Sequence, residues 1–565
     1  MFSFTKFSNK LKNQWMGMRK LFRTKSIKQI LAEAEKKSFK KSLGAFDLLL
    51  LGIGSTIGTG IFVLTGTAAA NFAGPAVAIS FAISGLVCMF AGLAYTELAS
   101  MVPVSGSAYT YSYAILGEFL AWIVASGLVL EYTVAASTVS AGWSGYLLKI
   151  LEQGGIILPK TLTTVPSQGG IINLPASLIA LFIGFLLVRG TKESVIVNRI
   201  LVGLKLGVIF MFMIVAIPHV KMVNYEDFMP FGFKGVVMGA SAIFFAYLGF
   251  DAVATTAEEC KNPKRDLPIG IIGSLLACTL IYIMVSLALT GIVNYTTLNN
   301  SAPMANALLA NGSNIGSALV SIGAIAGMVT VLLVMMYGQS RIFFVMSRDG
   351  LLPKGFCKMH QKFDTPYVSC IIVTIAVSLI SGFTPIRTMG DMSSLGTLFA
   401  FLIVSCGVII LRLRSPNLER SFKCPAVFIV APLAISGCGY LIYQLLLENC
   451  TAFIIWYSIT IAIYFLYAQK RSKLAINFSK IDNYSNDKKN YQQKFSEQKS
   501  LKITENINYK NHTSKESSKS YNDSNDNSKN NSNKPHDNSQ SQHKKNRHKK
   551  KSKKNLNPKY QKFNK

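Results

Sequence analysis

Twelve apolar segments, each about as long as a bilayer is thick, follow one another from residue 45 to residue 469. About 20 apolar residues are needed for a helix to cross the ~30 Å hydrocarbon core. The composition agrees, because 50% of the 565 residues are hydrophobic and the mean hydropathy is +0.35. Such a chain is predicted to be an all-α polytopic membrane protein. The segments, numbered here as spans one to twelve, are 45–70, 76–102, 119–148, 171–188, 196–217, 235–257, 269–293, 316–340, 367–383, 394–411, 427–447 and 452–469.

Positive charge is concentrated outside the spans and on one side of them. Residues 1–44 contain 12 Lys or Arg and two acidic residues, and residues 470–565 contain 25 Lys or Arg and eight acidic residues. Basic residues also collect in every second loop, whereas loop 294–313 has none. Cytoplasmic loops carry the excess of Lys and Arg in membrane proteins. Both termini are therefore expected in the cytoplasm, in agreement with an even number of spans.

The chain is predicted to have three parts. A basic cytoplasmic segment, 1–44, precedes a twelve-helix domain, 45–469, and an Asn-, Lys- and Ser-rich cytoplasmic tail, 470–565, follows it. The tail has too little apolar area to offset the entropy of ordering, so it is predicted to be disordered. Its polybasic end, 544–554, can attract anionic lipid of the inner leaflet or bind nucleic acid loosely. The simpler interpretation is a tail without a function, whose composition reflects a genome biased towards Asn and Lys codons. No specific nucleic-acid partner is expected.

No metal centre, cofactor or catalytic residue is predicted. The nine cysteines include no CxxC pair, and most of them lie inside spans, where a thiol packs as a small apolar group. The six histidines lie in loops or in the tail, and the phosphate-binding pattern GxxxxGK[ST] does not occur. The sequence also lacks the pattern of a cleavable signal peptide in its first 44 residues. Neither an enzyme nor an ATP-driven pump is expected.

Span one is interrupted by glycines. The stretch 52–62, GIGSTIGTGIF, places four glycines in the middle of the crossing. Each glycine costs a helix interior about 1 kcal/mol, and unpaired backbone is tolerated at bilayer depth only where protein or a water-filled cavity covers it. The interruption therefore predicts a small-ligand site built from backbone groups, as in transporters with discontinuous helices. Close helix packing through small residues is the alternative.

Span six carries a matching interruption. It reads AIFFAYLGFDAVATTAEE, with Gly249 followed by Asp251 in mid-membrane. A carboxylate there costs a few kcal/mol unless it is satisfied, so Asp251 is expected to cap a half-helix by accepting from the amide of about Ala254. Direct contact with the substrate is the alternative. Spans one and six hold the same position in two five-span halves, 45–217 and 235–411. Paired interruptions of this kind indicate inverted repeats with a site at the bilayer midplane.

The two interruptions together suit a zwitterion. The outer half-helix that begins after Thr59 presents free amides and the positive end of a helix dipole, which favour a carboxylate. The half-helix that ends near Phe245 presents free carbonyls, which favour an ammonium group. A molecule that carries both groups on one carbon fits between them, so the residues point to an α-amino acid.

Four segments carry a resemblance to a known family: GIGSTIGTGIFVLTG, AGLAYTELASMVPVSGSAYTYSY, FFAYLGFDAVATTAEECKNPKRDLPIGI and QSRIFFVMSRDGLLP. They resemble the amino acid permeases of the APC superfamily, especially bacterial homologues of the cationic amino acid transporters. The match runs in order from about residue 44 to residue 420. It implies the LeuT-type fold, with ten core helices in a five-plus-five inverted repeat and two peripheral ones, in the inner (plasma) membrane of a bacterium.

The resemblance also implies which residues hold the substrate. Its carboxylate is expected to meet the first turn of the outer half-helix, and its amino group the carbonyls at the break of span six. Carried over by position, these residues are Gly58, Thr59 and Gly60 on the first side and Phe245, Ala246 and Leu248 on the second.

Lys205 is the expected coupling residue. It lies about nine residues past the start of span five, or roughly 14 Å deep, near the midplane and too deep to snorkel as Arg199 can. Desolvation disfavours the charged ammonium, so this lysine is expected to gain and lose a proton. The resembled family often has a lysine where sodium-coupled relatives bind Na⁺ between spans one, five and eight. The alternative is a lysine satisfied by carbonyls of broken span one, without a role in coupling.

Three further side chains are candidates for the pocket. Glu131 in span three could hold the substrate amino group through water or meet a basic side chain, or it could fix helix packing by bonding Tyr132. Met335 and Met336 in span eight are expected to face the distal end of the pocket, where a methionine limits room and favours small neutral side chains. A core or lipid-facing methionine is the alternative for either one.

The sequence thus predicts a secondary active transporter that imports amino acids with protons. Its expected partners are an amino acid, protons and the lipid bilayer. An exchanger or a Na⁺-coupled carrier on the same fold is one alternative. A transporter-like nutrient sensor is another, although an intact backbone site argues against it. Whether neutral or cationic amino acids are carried is left open.

Overall fold

The computed structural model describes residues 21–27, 29–30, 41–104, 106–190, 195–363, 365–476, 490–493, 495–500 and 502. The chain divides into two compact units, Met1–Asn483 and Tyr484–Lys565. In the second unit the described residues are helical. Most of the tail, with its polybasic end 544–554, and most of segment 1–44 lie outside the described residues, so predictions about them stay predictions.

The first unit is built from helices, and within the described residues the one β-bridge joins Leu43 to Cys260. This confirms the predicted all-α class. The helices of eight or more residues are Ala45–Thr56, Val77–Met101, Ser107–Ile115, Glu118–Gln153, Leu174–Arg189, Val195–Ala216, Gly232–Ile243, Pro263–Ile292, Pro303–Ala310, Asn314–Arg348, Tyr367–Phe383, Ile386–Arg414 and Val427–Ile463.

Eight helical stretches in the described residues are long and apolar enough to cross a membrane, and three shorter apolar helices accompany them. Two of the eight each cover more than one predicted span. Gly60–Met101 joins the outer half of span one to span two, and Val427–Arg471 joins spans eleven and twelve across a kink at Asn449. The 45 residues of the latter correspond to about 68 Å of helix, more than twice the ~30 Å core. The number of twelve crossings stays a prediction.

The two predicted interruptions lie where the glycines are. In span one, Ala45–Thr56 ends before Ile57, and helical structure resumes at Thr59. In span six, the chain passes from a 3₁₀ turn into an extended Leu248 and then through Gly249 at φ +106°. That backbone conformation favours glycine, because a Cβ is strained there. The glycines therefore set where each helix stops.

Both ends of the first unit pack on the same face of the helices. The amide of Glu118 donates to the Arg23 carbonyl at 2.9 Å, and the Ser472 hydroxyl donates to the Glu118 carboxylate at 2.5 Å. The amide of Lys473 donates to the carbonyl of Asp349 at 3.0 Å. Residues 470–476 thus pack on the first unit, and the division of the chain into three parts stays a prediction. One side-chain bond to the start of helix Glu118–Gln153 and one backbone bond to the end of helix Asn314–Arg348 hold this polar stretch.

Candidate functional site

The two interrupted helices touch each other at their breaks. A Cβ at Gly60 would overlap Cα of Ala246, closer than real Cβ atoms come to another residue. One turn away along span one, the Ser55 hydroxyl donates to the Gly249 carbonyl at 2.8 Å. The predicted site residues of spans one and six are therefore brought together, and glycine at position 60 is what permits the contact.

Tyr282 of span seven fixes both breaks at once, and sequence reasoning missed it. Its hydroxyl lies 3.0 Å from the carbonyl oxygen of Thr56 and 2.9 Å from that of Ala246, so it shares its proton between the two carbonyls. Each of those carbonyls lies where a helix stops and lacks an intrahelical partner. A tyrosine in the middle of an apolar span, TLIYIMVS, was the available signal.

A small cavity lies between the breaks. Its volume is about 10 Å³, room for about one water molecule, so it must widen to admit an amino acid. Spans three and eight supply the apolar wall. The lining residues are Ser55, Thr56, Gly58, Thr59, Gly60, Ala135, Val139, Phe245, Leu248, Val331 and Met335.

Polar groups of the two breaks are available at this cavity. The hydroxyls of Thr56 and Thr59 are buried and make no hydrogen bond within the described part of the chain. Among the carbonyls expected to meet an ammonium, that of Phe245 accepts from the Leu248 amide at 3.1 Å. The carbonyl of Ala246 is held by Tyr282, as described above. Of the three predicted carbonyls, Leu248 alone has no hydrogen-bond donor among the described residues.

Lys205 is fully buried and is directed at the break of span one. Its Nζ donates to the carbonyl of Gly54 at 2.5 Å and to that of Ile57 at 3.2 Å. Gly327 of span eight lies against its aliphatic stem, where an added Cβ would be 3.0 Å from Cγ of the lysine. The ammonium therefore lies between spans one, five and eight and binds carbonyls that the broken helix leaves without partners.

Asp251 does not form the predicted cap. It precedes the short helix Ala252–Thr255, but its side chain makes no capping hydrogen bond. Its carboxylate instead accepts from the Tyr132 hydroxyl at 2.6 Å. The prediction was wrong because a partner on span three, 119 residues away in sequence, satisfies the carboxylate.

Glu131 and Met336 lie outside the cavity wall. Glu131 is one helical turn from Ala135, which lines the cavity, and it is fully buried. Neither of its carboxylate oxygens has a hydrogen-bond partner in the described residues, Tyr132 included. Met335 lines the cavity, and its Cε comes within 3.2 Å of a Cβ placed on Gly249. Met336 is buried elsewhere in the core.

Ion pairs lie on both sides of the helical unit. On the side of the termini, the ammonium of Lys25 pairs with the carboxylate of Asp349 at 3.0 Å, at the end of helix Asn314–Arg348. On the opposite side, the Arg387 guanidinium pairs with the Glu448 carboxylate at 2.5 Å and lies 4.8 Å from the ring centre of Phe72. Phe72 follows span one, in the turn Ala69–Ala73, so the pair on this side contacts the continuation of the interrupted helix.

The family profile described as "Amino acid permease" matches residues 43–468, three quarters of the chain. The chain belongs to the amino acid permease family of the APC superfamily. The resemblance inferred from the sequence is thereby confirmed, as is the LeuT-type fold that the family has. The permease is a multi-pass membrane transporter and not an enzyme.

Three relatives of the permease differ in what their names say they carry. It is 48% identical to the branched-chain amino acid permease BcaP of Bacillus subtilis, over 80% of this chain and 99% of that protein. It is 44% identical to the methylthioribose transporter of the same organism, over 81% of this chain and all of that protein. Cationic amino acid transporter 9 of Arabidopsis thaliana is 37% identical over 71% of this chain and 73% of its own length.

Proposed function

We propose that this permease imports amino acids across the plasma membrane of a bacterium. The observation that carries the proposal is the pair of adjoining helix breaks, which leaves two threonine hydroxyls and the carbonyl of Leu248 free at one cavity. The first-turn amides and dipole of the outer half-helix favour a carboxylate. The free carbonyl favours an ammonium group, so a zwitterion matches both ends.

The substrate side chain is proposed to be small or branched and aliphatic. The wall opposite the breaks consists of Ala135, Val139, Val331 and Met335, with Phe245 beside them, and it offers no charged group. A basic side chain would be desolvated there without a partner, at a cost of several kcal/mol. The name of the relative BcaP supports this choice, and the cationic transporter relative is the contrasting case.

Import is proposed to be coupled to protons through Lys205. A charged ammonium at this depth is expensive, and the two carbonyls that bind it belong to a helix break that must move when the cavity opens. If opening removes those carbonyls, the charged form loses its stabilisation and the proton leaves. Proton release towards the cytoplasm then accompanies release of the amino acid.

The alternative functions differ from a proton-coupled importer in what drives transport. An exchanger needs amino acid on the opposite side, a Na⁺-coupled carrier needs a sodium gradient, and a nutrient sensor binds amino acid without transporting it. The decisive experiment is uptake of labelled amino acids into proteoliposomes, with an imposed proton gradient, with a sodium gradient and with neither. Leucine, isoleucine, valine, alanine, arginine and methylthioribose form the panel. We expect accumulation of aliphatic amino acids with the proton gradient alone. Accumulation that needs sodium, or that occurs only against internal amino acid, would contradict the proton coupling.

Methylthioribose tests the substrate class separately. It has neither a carboxylate nor an ammonium group, so a site built for a zwitterion should reject it. Competition by methylthioribose with no competition by leucine would overturn the amino acid assignment and leave the transporter fold untouched.

A further inference from the structure

An apolar cavity lies far from the substrate site, at the end of span three that is opposite the termini. It is bounded by span three, by the start of helix Leu174–Arg189 and by the connection between them. Its volume is about 460 Å³. The lining residues are Trp143, Leu147, Leu158, Pro159, Leu162, Thr163, Leu174, Pro175, Leu178, Ile179 and Phe182.

The residues at the rim of the cavity indicate an opening towards lipid. Leu178 and Phe182 on its rim are 53% and 57% exposed, on a helix apolar enough to lie in the membrane. From Leu174 to Phe182 the helix descends about 12 Å, which falls within one leaflet of the ~30 Å core. The hydroxyl of Thr163 is already used, since it donates to the Pro159 carbonyl at 3.2 Å.

Hydrocarbon is the chemistry that such a cavity accepts. Besides Thr163, Trp143 is the other lining residue with a polar side-chain group, and its indole N–H has no partner in the described residues. One donor does not hold a water molecule, which needs about two to four polar partners. One water molecule takes about 30 Å³ of liquid, so the cavity has room for roughly 15 groups the size of a methylene. A lipid acyl chain beside the opening is already in hydrocarbon, so on entering it gains van der Waals contacts with the cavity wall and no burial from water.

One basic residue, Lys160, lies in the connection that bounds the cavity. Lys160 is the one charged residue between Gln153 and Leu174, and its side chain is exposed. It opens the short helix Lys160–Thr163, directly between the lining residues Pro159 and Leu162. Its backbone therefore lies at the rim of the cavity, and its long exposed side chain has the reach to meet a lipid headgroup there.

We infer that this cavity binds an anionic glycerophospholipid of the outer leaflet. One acyl chain lies in the cavity, and the lipid phosphate pairs with Lys160. The site is separate from the substrate cavity and does not depend on which solute is carried.

Trp143, in the cavity wall, gives a direct test. The full-length protein is reconstituted in phosphatidylcholine vesicles that contain a small fraction of phosphatidylglycerol with brominated acyl chains, because bromine quenches tryptophan fluorescence on contact. The difference in quenching between the unmodified protein and Trp143→Phe measures how often a brominated chain contacts Trp143 in this cavity. We expect that difference to be about fivefold more sensitive to brominated phosphatidylglycerol than to brominated phosphatidylcholine, as about 1 kcal/mol for one lysine implies.

Two variants and a control separate the parts of the proposal. Lys160→Gln should abolish the preference for phosphatidylglycerol, whereas Lys221→Gln, an exposed lysine outside the cavity, should keep it. Leu178→Phe should fill the cavity and lower the Trp143-dependent quenching by both lipids. Equal quenching by both lipids in the unmodified protein would overturn the role of Lys160. If the unmodified protein and Trp143→Phe are quenched equally, no lipid chain contacts Trp143, and the lipid site is overturned. A second protein copy that covers the cavity would give this result.

Discussion

The Tyr132 hydroxyl and the Asp251 carboxylate are joined by a hydrogen bond of 2.6 Å, deep in the membrane domain. Tyr132 belongs to unbroken span three, and Asp251 directly follows the break of span six. The tyrosine ring also lies against Gly338 of span eight, 3.3 Å from the position of a Cβ there. One side chain thus ties the interrupted helix to two continuous ones just beyond the substrate cavity.

Removing this hydroxyl is expected to destabilise the protein. Tyr132→Phe leaves the buried Asp251 carboxylate without its donor, and an unsatisfied buried group costs about 1–3 kcal/mol. The measurement is thermal unfolding of the purified protein in detergent. The matched control is Tyr457→Phe, because the Tyr457 hydroxyl is buried without a partner among the described residues and its loss removes no bond. Equal unfolding temperatures for the two variants would show that the hydrogen bond between Tyr132 and Asp251 does not stabilise the protein.

Side chains at position 60 should block the site in proportion to their size. Gly60→Ala is expected to weaken substrate binding, since the new Cβ meets Ala246, and Gly60→Leu to abolish it while the protein still inserts in the membrane. Binding is measured by scintillation proximity with labelled substrate. Gly207→Leu serves as control, because no atom lies within 4 Å of a Cβ placed there. Undiminished affinity in Gly60→Leu would show that the site lies elsewhere.

Met335, and not Met336, should set the size of the pocket. Met335→Ser is expected to widen the range of competing amino acids towards longer or basic side chains, because it removes the apolar group that faces Gly249. Met336→Ser is the matched control and should leave the range unchanged, since Met336 lies outside the cavity wall. Competition by arginine and lysine against labelled substrate gives the result. If the two variants behave alike, the assignment of the wall in span eight is wrong.

Lys205→Ala should uncouple transport from the proton gradient. Without the ammonium no proton is carried, so accumulation driven by a pH gradient is lost while counterflow or simple binding survives. Uptake and counterflow are compared in the same proteoliposomes, with Lys221→Gln as a control that removes a lysine outside the membrane core. Unchanged accumulation in Lys205→Ala would exclude the lysine as the coupling residue.

Cysteine reactivity should report the packing of the loop after span ten. Burial, with a smaller contribution from Glu97, raises the pKa of the Cys424 thiol to about 11. The thiolate is the reactive form, so Cys424 stays protonated and inert near pH 7.5 and gains reactivity only as the pH rises towards 11. Exposed Cys450 should react with maleimide at pH 7.5, as mass spectrometry of peptides can show.

Glu97→Gln provides the contrasting case. The Glu97 carboxylate accepts from Arg412 at 2.8 Å, from Arg420 at 3.0 Å and from the Cys424 amide at 2.8 Å. Losing its charge should loosen the loop and make Cys424 reactive at neutral pH. Labelling of Cys424 in the unmodified protein at pH 7.5 would contradict its burial.

Local sequence determined where the helices of this protein run and where two of them break. Apolar length decides which segments lie in the membrane, and clustered glycines decide where a helix cannot continue. The interruptions near Gly58 and at Gly249 and the depth of Lys205 each follow from residues close together in the chain, and the proposed match to a zwitterion follows from combining the two interruptions. These features depend on backbone propensity and hydropathy, and both can be read directly from the sequence.

Tertiary structure alone decided which side chains meet. Asp251 accepts a hydrogen bond from Tyr132 and none from its own helix. Arg199, which was expected to reach the lipid headgroups, pairs with Asp47 at 2.6 Å. Met335 lines the cavity although its neighbour Met336 does not, because consecutive residues point about 100° apart on a helix of 3.6 residues per turn. The rotation of each helix and the partners that face it come from segments distant in sequence. Local patterns cannot fix those contacts, since several partners satisfy the same polar group equally well.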